Sequence, residues 1–152
     1  MLLIIDRLPI KEPSNENIEL NLKVGYQKLI DMAENEIKSI SISEAAILIE
    51  DKTVVFVDVR DINEVKKHGE IPGSMHAPRG MLEFLIDPES PYHRSFFSEK
   101  KTFIFYCAIG WRSVLAAETV HDMGIEKVAN LAGGFSAWKA AGKPCTYVNK
   151  PT

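Results

Sequence analysis

Cys107 is followed by residues that can make its sulfur a nucleophile. It comes directly after the apolar run 102–106, and Arg112 lies five positions further on with Gly110 between them. A loop that enters a helix directs unpaired backbone N–H groups inward, and the helix dipole adds positive potential there. These groups favour the thiolate, which is the nucleophilic form of cysteine. Arginine adds a permanent, fork-shaped charge for an oxyanion. The pattern predicts a thiolate that attacks an anionic group.

The alternative interpretation of Cys107 is a buried small residue, because free cysteine is among the most buried residue types. The arginine at position 112, with a glycine before it that permits a tight loop or close approach to a ligand, favours the functional interpretation. The predicted loop that binds the substrate consists of Ala108, Ile109, Gly110, Trp111, Arg112 and Ser113.

The composition is typical of one globular domain. The chain has 152 residues, of which 45% are hydrophobic and 26% charged, and its formal net charge is -3. This charge gives no reason to expect nucleic acid or a membrane surface as a partner. The chain has 2 cysteines, too few for a disulfide scaffold, and its 4 histidines lack metal-ligand spacing. We therefore expect no metal and no organic cofactor.

The first residues do not match a secretion signal. Residues 1–5 are apolar, but Asp6 and Arg7 interrupt the run, and no apolar run approaches the ~20 residues of a membrane span. We expect a cytoplasmic protein in which both cysteines stay reduced. Cys145, which follows Pro144 near the C-terminus, is expected to take no part unless the fold brings it near Cys107.

Apolar runs alternate with amphipathic segments through the centre of the chain. Strands are predicted at 53–59, 102–106 and 128–131, with shorter ones at 40–42 and 75–77. Helices are predicted at 22–37, from Ser41 or Ser43 to 49, and at 61–68, 80–86, 111–123 and 135–141. This alternation is typical of an α/β fold with a parallel sheet and helices on both faces. Such sheets bind ligands at the carboxyl ends of their strands, where Cys107 lies.

Five motifs then occur in the order found in one known family. They are Asp58-Val59-Arg60, Glu64, Gly69-Glu70-Ile71-Pro72-Gly73-Ser74, Cys107 to Arg112 with Ser113, and Gly133-Gly134-Phe135 with Trp138. With this set, residues 40–145 resemble the single-domain rhodanese-like (rhodanese-homology) sulfurtransferases. The resemblance implies a five-stranded parallel sheet flanked by helices. It also implies that Cys107 carries a persulfide during turnover.

The loop length separates this family from its nearest rival. Cell-cycle dual-specificity phosphatases and arsenate reductases resemble rhodaneses in fold, but their loops are one residue longer, Cys-x5-Arg, which suits phosphate or arsenate. Here four residues separate Cys107 from Arg112. The smaller cradle suits a sulfur atom on the cysteine with a small anion beyond it. Phosphatase activity is therefore the less favoured hypothesis.

Two departures from the family pattern bear on the substrate. Glu70 stands where the family usually has histidine, which affects local hydrogen bonding and pH behaviour. The interior of the loop is apolar and contains no lysine, whereas many rhodaneses that use thiosulfate place basic residues there. Arg112 and Arg79 would have to supply the positive charge. We therefore expect modest activity with thiosulfate and a natural donor that is a persulfide on another molecule.

Three charged residues are candidate supporting residues: Asp58, Arg60 and Arg79. The first two end an apolar strand, and either hold the cysteine loop by charged hydrogen bonds or form a structural ion pair. The structural role is favoured, with Arg60 paired to Glu64 at i, i+4. Arg79 is either an anion contact at the mouth of the site or a solvated side chain. For His76, Phe135 and Trp138, roles in a loop or in the core are favoured over substrate contact.

The expected activity is transfer of a sulfane sulfur from thiosulfate or a persulfide donor to a thiol or cyanide acceptor through a Cys107 persulfide. The alternative is a sulfur-relay or regulatory module that binds a protein partner, with little turnover of small molecules. The expected organisation is an N-terminal arm and packing helix at 1–39, a rhodanese-like domain at 40–145 and a tail at 146–152. The helix at 22–37 is expected to cover the sheet, with a partner or dimer surface as its alternative role.

Overall fold

A five-stranded parallel sheet forms the centre of the computed structural model, which describes residues 17–147. Its strands are β1 Lys38–Ile40, β2 Val54–Asp58, β3 Met75–His76, β4 Thr102–Tyr106 and β5 Val128–Leu131. The order across the sheet is β1-β5-β4-β2-β3, and every neighbouring pair is parallel. Strand β4 is therefore central, and the residue that follows it, Cys107, lies at the middle of the carboxyl edge.

Helices cover both faces of this sheet. The α-helices among the described residues are α1 Tyr26–Glu36, α2 Ile42–Ile47, α3 Ile62–His68, α4 Leu82–Ile86, α5 Trp111–Asp122 and α6 Gly134–Ala140. Two 3₁₀ helices lie at Arg79–Met81 and Ser95–Ser98. The expected α/β fold, a five-stranded parallel sheet with helices on both faces, is confirmed.

Alternate side chains of the strands build two separate cores. On one face Phe103 and Phe105 pack with residues of α1, α4 and α5. On the other face Ile104 and Tyr106 pack with residues of α2 and α6. Successive side chains of a strand point to opposite faces, so a strand covered on both sides must be apolar throughout. This requirement explains the unbroken run Thr102–Tyr106.

The structure differs from the sequence prediction at the N-terminal helix and the first strand. The helix begins at Tyr26 instead of position 22, after an extended Gly25 that serves as its N-cap. The first strand ends at Ile40, because Ser41 leaves the sheet to cap α2. Ser41 and Glu44 form the predicted capping box.

Helix α1 packs against α5 and contributes Ile30 and Ala33, together with Ile37 just after it, to the first core. Residues 1–16 of the predicted N-terminal arm and residues 148–152 of the predicted tail lie outside the described residues. Thr146, where the predicted tail begins, pairs with Glu70 in an isolated antiparallel bridge. Within residues 17–147, the helices are too short or too polar to span a bilayer.

Candidate active site

Cys107 lies between the central strand and the longest helix of the domain. Its side chain is fully buried, at the point where β4 ends and three residues before the N-cap of α5. The first N–H groups of α5 have no acceptor within the helix and face this end of the sheet. The predicted arrangement of a strand, a cysteine loop and a helix N-terminus is therefore present.

Two donors reach the sulfur of Cys107. The N–H group of Gly110 donates to Sγ at 3.1 Å, and the hydroxyl of Ser113 donates to it at 3.3 Å. Gly110 has a φ of 102°, a left-handed conformation that glycine adopts without a Cβ penalty, and this turn aims its N–H at the sulfur. Hydrogen bonds to an anion are stronger than those to a neutral group, so this arrangement stabilises negative charge on the sulfur.

Gly134 lies directly against the backbone of the cysteine loop. The N–H groups of Phe135 and Ser136, which follow it in α6, donate to the carbonyls of Cys107 and Ala108 at 2.8 and 2.9 Å. A Cβ on Gly134 would lie 2.6–2.7 Å from backbone atoms of Cys107 and Ala108. The glycine therefore permits the close contact that positions the loop, which is the physical role of the second glycine in the Gly133-Gly134 motif.

The guanidinium of Arg112 forms a two-point ion pair with Glu64. Its two terminal nitrogens donate to the two carboxylate oxygens at 2.8 and 2.9 Å. The hydrogen bonds from Arg112 lower the pKa of Glu64 to about 2. The pKa of Arg112 is raised, chiefly by the hydrogen bonds to Glu64 and further by the sulfur of Cys107. Glu64 therefore balances much of the charge of Arg112.

The predicted pair between Arg60 and Glu64 is wrong. Arg60 donates instead to both oxygens of Asp58, with the shortest distance 2.7 Å, and to the carbonyl of Gly69 at 2.7 Å. The physical reason is that α3 begins only at Ile62, so Arg60 precedes the helix and is not one helical turn from Glu64.

Asp58 and Arg60 form a buried structural pair without a direct hydrogen bond to the cysteine loop among the described residues. The guanidinium of Arg60 lies 4.4 Å from the ring centre of Phe135 and 5.6 Å from that of Tyr106. These two residues flank the loop, since Tyr106 precedes Cys107 and the N–H of Phe135 bonds to its carbonyl. The pair therefore supports the loop only through its neighbours.

Tyr106 ties the cysteine strand to the turn after α3. Its hydroxyl accepts from the N–H of Ile71 at 3.1 Å and lies 2.9 Å from the hydroxyl of Ser74. Burial, with a further contribution from the charge of Asp58, raises the pKa of Tyr106 above its usual range. The phenol therefore stays neutral and acts as a structural link.

Asn130 is a site residue that the sequence interpretation missed. It lies on β5, is buried, and donates from Nδ2 to the carbonyl of Gly110 at 3.3 Å. Its Oδ1 has no partner among the described residues. The sequence does contain a signal for this residue: Asn130 is polar within the otherwise apolar run 128–131, just before the pair Gly133-Gly134.

Among the described residues, the other candidates form no hydrogen bond to the sulfur of Cys107. Arg79 is exposed and follows the edge strand β3, so both of its predicted roles remain predictions. Nε2 of His76 donates to the carbonyl of Arg60 at 2.7 Å, which gives it a structural contact. Cys145 packs with the second core, whereas Cys107 belongs to the first. Phe135 and Trp138 are buried in the second core.

A small cavity of about 150 Å³ lies beside the loop. It is lined by Arg60, Glu64, His68, Ala108, Phe135, Ser136 and Lys139. Three larger cavities, of about 350, 420 and 290 Å³, lie toward the opposite edge of the sheet, near Lys101. Their linings contain no residue of the cysteine loop, whereas the small cavity is lined by Ala108 of that loop.

Residues 41–141 match the family described as the rhodanese-like domain. The match covers about two thirds of the chain and includes every element that holds the cysteine loop. The protein belongs to the rhodanese-like domain family. The resemblance inferred from the five motifs is therefore confirmed.

Individual relatives and one solved structure agree with this assignment. The thiosulfate sulfurtransferase GlpE of Pseudoalteromonas translucida is 32% identical over 105 residues, which cover 68% of this chain and 90% of the relative. A sulfurtransferase of Allochromatium vinosum is 32% identical over 110 residues, which cover 72% and 92%. A Rhodopseudomonas palustris structure, described as a protein of unknown function and possible tyrosine phosphatase, is 44% identical with a TM-score of 0.82 and covers 86% of this chain and 100% of its own.

Proposed function

We propose that the protein is a rhodanese-type sulfurtransferase in which Cys107 carries the transferred sulfur. The observation that carries this proposal is the pair of hydrogen bonds to Sγ, from Gly110 at 3.1 Å and Ser113 at 3.3 Å, at the N-terminus of a 12-residue helix. The similarity to named sulfurtransferases at 32% identity supports the same reaction class.

In the first half-reaction, the thiolate of Cys107 attacks the outer sulfur of the donor. A bond forms between Sγ and that sulfur, and the bond from that sulfur to the rest of the donor breaks. The electron pair leaves with the donor, as sulfite from thiosulfate or as a thiolate from a persulfide. The first N–H groups of α5 and the guanidinium of Arg112 stabilise the departing anion and the new persulfide anion.

In the second half-reaction, a thiolate or cyanide attacks the outer sulfur of the Cys107 persulfide. The sulfur–sulfur bond breaks, and its electron pair returns to Sγ as the thiolate. The hydrogen bonds from Gly110 and Ser113 then stabilise the same charge as at the start. One sulfur atom therefore passes from the donor to the acceptor, and Cys107 returns to its starting state without another electron carrier.

A phosphatase is the second candidate, because the Rhodopseudomonas structure is described as a possible tyrosine phosphatase. The number of residues in the loop argues against phosphatase activity. Cys107 and Arg112 are separated by four residues, so the cradle is one residue shorter than the loop that surrounds phosphate in related phosphatases.

Mass spectrometry of the intact protein tests the proposal. After incubation with thiosulfate or a persulfide donor, the wild-type mass rises by one sulfur atom, and cyanide reverses the gain. The variant Cys107→Ser shows no gain, and the matched control Cys145→Ser retains it. A gain in Cys107→Ser, or hydrolysis of p-nitrophenyl phosphate faster than sulfur transfer, would contradict the proposal. Persulfide formation without turnover of small acceptors would favour the sulfur-relay alternative.

A further inference from the structure

The exposed apolar side chains of the described residues are concentrated before and within helix α1. Almost half of the large hydrophobic side chains that are exposed lie between positions 18 and 32. They are Ile18, Leu20, Leu22, Val24, Tyr26, Leu29 and Met32. Monomeric proteins rarely expose a contiguous apolar surface of this kind, and such surfaces mark sites of interaction.

Residues 18–24 have the pattern of a β-strand. The run Ile18-Glu19-Leu20-Asn21-Leu22-Lys23-Val24 alternates strictly between apolar and polar residues and contains no proline. Successive side chains of an extended chain point to opposite sides, so the four apolar residues would share one face. Among residues 17–147, the segment belongs to no helix or strand, and its backbone forms no hydrogen bond. Its N–H and C=O groups are therefore available to a strand from another chain.

The order of the charges in this segment favours pairing with a second copy in the antiparallel direction. Glu19 and Lys23 lie two residues on either side of Asn21. In an antiparallel pair centred on Asn21, each Glu19 lies opposite Lys23 of the second copy, and each Leu20 lies opposite Leu22. Opposite charges across two strands stabilise the pair, whereas like charges destabilise it. A parallel pair in register would place Glu19 opposite Glu19, and the other antiparallel registers would separate Glu19 from Lys23.

Helix α1 continues the apolar surface beyond the segment. Tyr26, Leu29 and Met32 are exposed at three-residue spacing and therefore lie along one side of the helix. The ring of Tyr26 lies 5.4 Å from that of Trp111, which is itself 48% exposed. Two strands by themselves are only marginally stable in water, and burial of this adjoining surface supplies the further stabilisation that a dimer needs.

We propose that residues 18–24 of two copies of this chain pair as antiparallel strands centred on Asn21 and join the copies about a two-fold axis. A two-fold axis brings the same surface of both copies together, as the self-complementary order of the charges requires. The single chain bends at Lys23 and Val24, and pairing straightens this bend. The segment lies outside the family match at 41–141. The inference concerns assembly and does not depend on the proposed function.

Charge reversal of the full-length chain tests this pairing, with the dimer Kd measured by sedimentation equilibrium. Glu19→Lys places two lysines opposite each other at both ends of the pair and weakens the dimer about five- to thirtyfold. Lys23→Glu has the same effect. The double variant Glu19→Lys/Lys23→Glu restores the opposite charges, and its Kd returns to within about threefold of the wild-type value. The control Glu50→Lys makes the same change of charge at an exposed position after α2, on the other face of the sheet, and leaves the Kd unchanged.

Disulfide cross-linking tests the register. Each cysteine is introduced into Cys145→Ser, in which the remaining Cys107 is fully buried, and that parent is the control. Asn21→Cys forms a cross-linked dimer on mild oxidation, because the two copies of position 21 lie opposite each other at about 5 Å between Cβ atoms. Lys23→Cys alone does not, since its two copies are separated by roughly 14 Å along the strands. A mixture of Glu19→Cys and Lys23→Cys forms the cross-linked pair.

The outcomes separate this inference from the proposed function. A chain that stays monomeric at all concentrations, as it would if residues 1–16 of the same chain covered the segment, overturns the inference. A dimer whose Kd ignores both charge reversals, or that cross-links as readily through Lys23→Cys alone as through Asn21→Cys, also overturns it. Sulfur loading on Cys107 is measured independently, so the proposed function stands or fails by its own test. Glu19, Asn21 and Lys23 are all exposed, so these variants retain the fold on which the test depends.

Discussion

The guanidinium of Arg112 holds both carboxylate oxygens of Glu64, at 2.8 and 2.9 Å, across 48 residues of sequence. This pair joins the first turn of α3 to the first turn of α5 and therefore connects one family motif to the cysteine loop. It also means that the positive charge of the loop, carried by Arg112, is largely balanced. The predictions below follow from this relationship and from the contacts around it.

The ion pair between Glu64 and Arg112 is expected to resist acid. Because Arg112 lowers the pKa of Glu64 from its ordinary 4.5 to about 2, the stability that the pair contributes is fully present above pH 4.5 and is lost as the pH falls toward 2. Both side chains are partly exposed, so the contribution is less than about 1 kcal/mol. Urea unfolding of wild type and Glu64→Gln should show a difference that is constant from pH 7 to 5 and smaller at pH 3. A difference that grows at pH 3 would contradict this assignment.

The buried pair of Asp58 and Arg60 is expected to dominate the polar contribution to stability. Arg60→Met leaves the carboxylate of Asp58 buried without its partner, which lowers the free energy of unfolding by about 3–5 kcal/mol. Lys101→Met, which removes an exposed pair with Glu99, changes it by less than about 1 kcal/mol. Denaturant unfolding of the two variants measures both values. Equal effects of the two substitutions would show that the buried pair has no special role.

Gly134→Ala is expected to displace the cysteine loop. The added Cβ would overlap backbone atoms of Cys107 and Ala108 at 2.6–2.7 Å, and the residue has a φ of 63°. Overpacking and left-handed strain together cost about 2–5 kcal/mol. We expect loss of stability and of sulfur transfer, measured by thermal unfolding and by persulfide formation on Cys107. Gly80→Ala is the matched control, because nothing lies within 4 Å of the added Cβ and the backbone is not left-handed. Full sulfur transfer by Gly134→Ala would show that the close contact is not needed.

Glu70→Gln is expected to stabilise the protein at neutral pH. Burial, with a further contribution from the charge of Asp58, raises the pKa of Glu70, so the folded state disfavours its ionised form. A carboxyl group of this kind reduces stability as the pH rises through its folded pKa, and the reduction is absent when the group is protonated. The melting temperature of Glu70→Gln should exceed that of wild type at pH 7, and the difference should shrink in acid. The exposed control Glu50→Gln should show no such pH-dependent gain.

Much of the fold could be predicted from local sequence pattern. The buried strand 102–106 and the strand 128–131 were predicted with the bounds that the structure has, because an apolar run covered on both faces admits few alternatives. Ser41 and Glu44 form the predicted capping box, since this contact spans only three residues. The start of α1 was predicted four residues too early, because the apolar spacing continues from Leu22 past the true N-cap at Gly25.

The sequence by itself determined the family and led to the proposal of Cys107 and its loop as the nucleophilic site, because these depend on residue types at short, fixed spacing along the chain. Only the tertiary structure decided which charges meet. Arg60 pairs with Asp58, and Glu64 pairs with Arg112, although i, i+4 spacing had suggested a pair between Arg60 and Glu64. Tyr26 likewise reaches Trp111 only because α1 packs on α5. Partners of this kind are set by how helices and strands pack in space, and a linear spacing rule cannot supply that information.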